Sequence, residues 1–121
     1  MGIEGTRVLL VEDEAIIAMT VEDMLEALGC ETVATAATLN EALAAAETAS
    51  FDLALLDINL NGTESLPVAA RLRALGLPFV FTTGYGPTGS GPEFADAPLV
   101  TKPYDMSDLA AAIAVALNQQ P

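Results

Sequence analysis

The sequence predicts an α/β protein, a parallel sheet with helices on both faces. Three observations carry this. Short apolar runs alternate with amphipathic helical stretches along the chain. The connections are short, and in an alternating order that means parallel strands joined by helical crossovers. One run, Leu53-Ala54-Leu55-Leu56, is uninterruptedly apolar and passes straight into Asp57, which fits a strand buried on both faces. In open α/β sheets the carboxyl ends of the strands border a crevice, so Asp57 should stand at the floor of a pocket. A strand-end Asp can also simply start a turn, and on this stretch alone that reading stays open.

The elements follow in order. Val8-Leu9-Leu10-Val11 is a strand that runs into Glu12, Asp13 and Glu14. Ala15 to Leu28 reads as a helix with Ile17, Val21, Met24, Leu25 and Leu28 on one face and Gly29 as its C-terminal cap. Glu31 to Ala36 is a weaker strand anchored by Val33. Thr38 caps a second, alanine-rich helix running to Ala49, with Glu41 in capping-box spacing. Asp52 to Leu56 is the central strand. Asn61-Gly62 signals a turn. Ser65 is placed to cap a third helix, Pro67 is tolerated in its first turn, and Val68, Leu72 and Leu75 form its expected buried stripe. Gly76 and Pro78 end it.

Phe79 to Thr82 is the fourth strand. From Gly84 to Pro98, four glycines and three prolines fall within 15 residues. Inside a helix Gly costs about 1 kcal/mol and Pro about 3. The fourth helix is therefore expected to be short or degenerate, at most a turn near Glu93-Phe94-Ala95. Pro98 to Thr101 is the fifth strand and leads into Lys102. Asp105 caps the last helix, with Asp108 in its first turn and Leu109, Ile113, Ala116 and Leu117 on its inner stripe.

At 121 residues the chain has room for one core, so a single domain over 1–121 is expected. The 52% hydrophobic content supports globular folding. Seventeen acids against four bases give a net charge of −13. That argues against nucleic-acid binding, which needs basic surface to displace counterions, and against docking on anionic membrane. Cys30 is the only cysteine, so no intrachain disulfide can form, and it reads as a packing residue. The absence of histidine disfavours a zinc site or a His-based triad. No apolar run approaches a membrane span, and the N-terminus lacks a secretory pattern. A match of Met1-Gly2 and Thr6 to a myristoylation pattern is discounted because the first strand begins almost at once. A cytoplasmic protein is the default.

With parallel strands, Glu12, Asp13, Asp57 and Lys102 gather at one sheet edge, beside the hydroxyls of Thr82 and Thr83. Three carboxylates in one pocket raise each other's pKa values, and a hard divalent cation relieves the repulsion. The acidic pair, the lone Asp57, the threonine and Lys102-Pro103, in that order, resemble the receiver domain of two-component response regulators over about Arg7 to Asn118. Phe81-Thr82-Thr83-Gly84-Tyr85-Gly86 further resembles the FAT-GUY subgroup of stand-alone receivers, with Thr82 in place of the usual Ala.

The resemblance implies a flavodoxin-like, doubly wound, five-stranded parallel sheet of order 2-1-3-4-5, and a receiver with no output domain. It implies that Asp57 accepts a phosphoryl group from a sensor histidine kinase or phosphotransfer protein. Mg2+ would be held by Asp13, Asp57 and the backbone carbonyl of Asn59, with Glu12 acting through water. Lys102 would supply a point charge for the phosphoryl group. Thr83 would donate its hydroxyl to a phosphoryl oxygen; Thr82 is the competing candidate, since residues alternate along a strand and only one should face the pocket. The Lys102-Pro103 bond is usually cis in the family. Ordinary receivers carry an aromatic switch residue where this chain has Leu99. Tyr104 would take over that role, unless it only packs against the last helix. Tyr85 would line the path of the hydrolytic water.

Such a protein is a phosphoacceptor that assists its own phosphorylation and dephosphorylation, not an enzyme acting on others. It would signal through contact with an unidentified downstream protein, with phosphorylation ordering Gly84 to Pro98 and Tyr85, Phe94 and Tyr104 at or beside the partner surface. Within the same class, a phosphate sink for a kinase is the alternative. A haloacid-dehalogenase-like phosphatase would want a second Asp where this chain has Asn59. A flavodoxin-like cofactor binder would want a phosphate-binding loop where it has Glu12, Asp13 and Glu14.

Overall fold

The computed structural model describes residues 2–84 and 94–118. The main strands are β1 (Arg7–Val11), β2 (Glu31–Ala36), β3 (Leu53–Asp57), β6 (Phe79–Thr83) and β7 (Leu99–Thr101). They form one parallel sheet of order β2-β1-β3-β6-β7. This is the doubly wound, flavodoxin-like order expected, with β6 and β7 as the fourth and fifth strands. Helices α1 (Ala15–Ala27), α2 (Leu39–Thr48), α3 (Leu66–Ala74) and α4 (Met106–Asn118) complete the elements, with a two-stranded hairpin of β4 (Asn59–Leu60) and β5 (Thr63–Glu64).

The strands divide the apolar residues by alternation, since successive side chains point to opposite faces. Leu9, Val11, Ala54, Leu56, Phe79 and Phe81 pack with Ala42, Ala46, Val68 and Leu72 of α2 and α3. Val8, Leu10, Leu53, Leu55 and Val80 pack with Val21 and Leu25 of α1 and Leu109 and Ile113 of α4. Each fully buried side chain of this kind contributes about 1.5–3 kcal/mol. β3 sits between β1 and β6 and is buried along its whole length, so its continuous apolar run follows from its place.

The helix ends reflect local chemistry. After α1, Gly29 sits at φ +83, its N–H donates to Glu26, and the Cys30 N–H donates to Leu25, the paired bonds of a Schellman motif. α3 ends the same way through Gly76 and Leu77. The Thr38 side chain accepts from the Glu41 N–H at 3.1 Å, while the Glu41 carboxylate reaches back to the N–H of Ala37 rather than Thr38. At α4, Asp105 and Asp108 each accept from the other's N–H, at 2.9 and 3.1 Å.

Several expectations are corrected. Leu75 is exposed, because α3 ends at Ala74 and turns it outward. Ser65 does not cap α3 with its side chain. Asn61-Gly62 makes more than a turn: both residues have positive φ, 55 and 88, the conformation of a tight hairpin turn, and it joins β4 to β5. Phe94, expected near a partner surface, is buried and packs edge-on against Phe79 and Phe81. The Ala97 N–H donates to the carbonyl of Phe94, closing a short turn. The expected degenerate helix otherwise falls on residues 85–93, outside the described residues, as does Tyr85.

Candidate functional site

The parallel register gathers the polar residues at the carboxyl edge. Val11 pairs with Leu56, so Glu12 and Asp13 emerge beside Asp57. Asp57 pairs in turn with Thr82 of β6, and Thr83 pairs with Thr101, just before Lys102. One oxygen from each of Glu12, Asp13 and Asp57 can be chosen so that all lie within 4.8 Å of one another. Lys102 bridges two of these acids, its Nζ 3.0 Å from Glu12 Oε1 and 3.0 Å from Asp57 Oδ2. Both carboxyls are buried and the Lys102 side chain is 20% exposed, so the ion pairs are largely shielded from bulk water. The Lys102-Pro103 bond is cis.

Burial shifts the charges. Removal from water drives the Glu12 carboxyl up, the hydrogen bond from Lys102 pulls it down, and the negative charge of Asp57 pushes it up again; it ends at about 7. Burial acts to lower Lys102, but the hydrogen bonds to Asp57 and Glu12 outweigh it and hold the ammonium above its ordinary value. Lys102 is thus firmly cationic while Glu12 sits near neutrality.

Around this core the β3–α3 loop is ordered by main-chain bonds. The Asn59 N–H donates to Asp57 Oδ1 at 3.2 Å. The Asn61 N–H, at the hairpin tip, donates to Asp13 Oδ2 at 2.8 Å, and the Gly62 N–H donates to Asn59 Oδ1 at 2.6 Å. The Ser65 hydroxyl donates to the main-chain carbonyl of Asp57 at 2.7 Å. Sequence reasoning missed Ser65 and the Asn61 amide. A Ser before a helix signals a cap, and a main-chain N–H carries no residue signature.

The expected residues fall as follows. Glu12, Asp13, Asp57 and Lys102 form one cluster, with Asn59 on the adjoining loop. Thr82 and Thr83 are both buried; alternation puts Thr82 on the Val80 face and Thr83 on the Phe81 face. Thr83 stands one residue nearer the carboxyl edge than Thr82, the register partner of Asp57. Tyr104 is half-buried against the α1 and α4 core, and lines a cleft with Ile17, Val21, Met24, Lys102 and Pro103. Burial pushes its phenol up to about 12. Tyr104 thus packs on the α1 and α4 side of the sheet, next to Lys102 and Pro103.

An all-oxygen set of three carboxylates suits a hard divalent cation such as magnesium, and a thiol- or imidazole-preferring metal has no ligand among these residues. A carboxylate beside the Lys102 ammonium, in a cluster able to hold a cation, could also act as an oxygen nucleophile toward an electrophile whose negative charge such cations would neutralise.

Comparison with known proteins agrees with this geometry. Residues 8–114 match the profile of the response regulator receiver domain. The chain is 36% identical over 119 residues to the phyllosphere-induced regulator PhyR of Methylorubrum extorquens, covering 93% of this chain and 44% of that protein. It spans roughly half the length of the curated relatives it matches, 44% and 57%. The solution structure of SdrG from Sphingomonas melonis Fr1 superposes with a TM-score of 0.84 at 44% identity, covering 93% of this chain and 97% of that one. The BeF3-activated conformation of SdrG, from Pseudomonas melonis Fr1, superposes with a TM-score of 0.80 at 43% identity, covering 94% and 98%. The fold, the acidic edge and these similarities converge: the chain belongs to the response regulator receiver domain family.

Proposed function

We propose that this receiver accepts a phosphoryl group on Asp57 from a phosphohistidine of a sensor histidine kinase or phosphotransfer protein, with Mg2+ bound in the acidic cluster. The supporting observation is the placing of Lys102 Nζ 3.0 Å from Asp57 Oδ2 beside the clustered oxygens of Glu12, Asp13 and Asp57. An Asp57 carboxylate oxygen attacks phosphorus in line. The new O–P bond forms as the N–P bond breaks, and the leaving imidazole keeps the bonding pair. Lys102 turns from the Asp57 carboxylate to the phosphoryl oxygens as a compact point charge. Asp13, Asp57 and the carbonyl of Asn59 hold the metal, with Glu12 acting through water. When bound, Mg2+ supplies charge neutralisation and alignment at the phosphoryl oxygens. Thr83 donates its hydroxyl to the product, a contact available only after transfer, so it biases a two-state element.

Output passes by contact with a downstream protein, in keeping with a net charge of −13 that disfavours nucleic acid and anionic membrane. By the family resemblance, Tyr85 would slow loss of the phosphoryl group and Tyr104 would respond to the movement of Thr83. By similarity to SdrG, beryllofluoride should stand in for the phosphoryl group on Asp57.

Incubation with a phosphorylated kinase or a small phosphodonor tests the reading. The label should require magnesium, survive acid and be lost in base. Asp57→Asn should abolish it, and undiminished labelling of that variant would place the nucleophile elsewhere. Asp13→Asn should shift the magnesium dependence to higher concentration; an unchanged titration would remove Asp13 from the ligand set.

A further inference from the structure

Ser65 makes a contact that phosphoryl transfer alone does not explain. It is fully buried and lies at the start of α3, yet its hydroxyl turns away from the helix. It donates to the carbonyl of Asp57 at 2.7 Å, while its own N–H donates to the carbonyl of Ile58 at 2.7 Å. Residue 65 is thereby drawn back onto residues 57 and 58, and the β4–β5 hairpin is the loop thrown out between them. The hairpin tip is held from the other side by the Asn61 N–H on Asp13 Oδ2. The main chain carrying Asp57 and Asn59 is thus clamped at its base by Ser65 and at its tip by Asp13.

We propose that Ser65 is a positioning residue for the cation site. Its hydroxyl holds the carbonyl side of the peptide plane after Asp57, whose N–H side, on Ile58, donates to the carbonyl of Thr82 at 3.0 Å, and so helps set the spacing between the Asp57 carboxylate, the Asn59 carbonyl and Asp13. This rests on the reading that the acidic cluster takes magnesium. Ser65→Ala would leave the carbonyl of Asp57 without that donor and the plane held only from its Ile58 N–H side, loosening it while altering side-chain volume little. Partners that orient metal ligands from behind are worth roughly 10–100-fold in affinity.

The test is magnesium chloride titration of the unphosphorylated full chain, followed through the NMR amide signals of Ile58, Asn59 and Asn61, with urea melts in parallel. Ser65→Ala should weaken magnesium binding by on the order of tenfold. Ser65→Thr, which keeps the hydroxyl, should bind nearly as wild type, and Ser65→Cys, a weaker donor of similar size, should fall between. Wild-type magnesium affinity in Ser65→Ala overturns the proposal even if stability drops, because the hydroxyl would then be merely structural. If Ser65→Ala does not fold, Ser65→Cys decides: weakened binding supports the proposal and wild-type binding overturns it. If the wild-type chain binds no magnesium, the reading of the cluster itself fails and the proposal falls with it.

Discussion

Glu12 is the residue whose charge the fold leaves poised. Burial raises its carboxyl from 4.5 to about 7 against the pull of Lys102. A carboxyl raised in the folded state holds a proton that the unfolded chain has lost. Its contribution to stability is fully present below the ordinary value near 4.5 and is lost as pH rises through about 7. The metal-free protein should therefore lose stability across that window, by no more than about 1.4 kcal/mol per pH unit from one proton. Glu12→Gln should flatten the slope. Urea melts in chelator over that range check this, and a slope unchanged by the substitution would contradict it. The threonines allow a second test at this scale. Thr83→Ala should still bind beryllofluoride, but the spectral changes should stay confined to the pocket. In Thr82→Ala they should spread beyond it as in wild type, and the opposite pattern would transfer the role to Thr82. The acids and Lys102 were legible in the sequence because parallel strands must bring their carboxyl ends to one edge. Ser65 was not, since a buried serine hydroxyl can satisfy a helix end or a strand carbonyl and the letters do not choose.

Among the elements, the turn from Phe94 into β7 shows how a few contacts anchor a stretch poor in helix formers. Phe94 sits 6.0 and 5.7 Å from the rings of Phe79 and Phe81, with the Arg73 guanidinium 5.0 Å over its face. Truncation of a buried phenylalanine costs about 3–5 kcal/mol. Phe94→Ala should cost on that order in urea unfolding, and a loss below about 1 kcal/mol would show that the aromatic cluster does not anchor the turn. Sequence reasoning placed Phe94 at or beside a partner surface, and its burial was not legible because the Gly- and Pro-rich stretch before it carries no periodicity to assign a face. The helices were more legible: Val21 and Leu25 of α1 and Leu109 and Ile113 of α4 are buried as their spacing requires. Asn61-Gly62 foretold a tight turn, but the two short strands it joins are too brief to leave a pattern.

At the scale of the whole molecule, alternating strands and helices were enough to predict a parallel sheet with helices on both faces. Strand order was not contained in that alternation. It came from the resemblance carried by Glu12, Asp13, Asp57, Thr83 and Lys102, and the sheet has that order. The same order explains the site, because β3 lies between β1 and β6 and its end opens beside Glu12 and Asp13 on one side and the β6–β7 edge on the other. The central claim is that this edge makes Asp57 a phosphoacceptor. The most direct measurement is the intact mass of the protein after exposure to a phosphodonor with magnesium, followed by borohydride trapping and peptide mapping. The predicted result is one added phosphoryl group before reduction and, after borohydride reduces the aspartyl phosphate with release of phosphate, a homoserine at position 57, both absent in chelator. A phosphoryl group mapped to any other residue, or none at all from a donor that labels another receiver in the same reaction, would contradict the account.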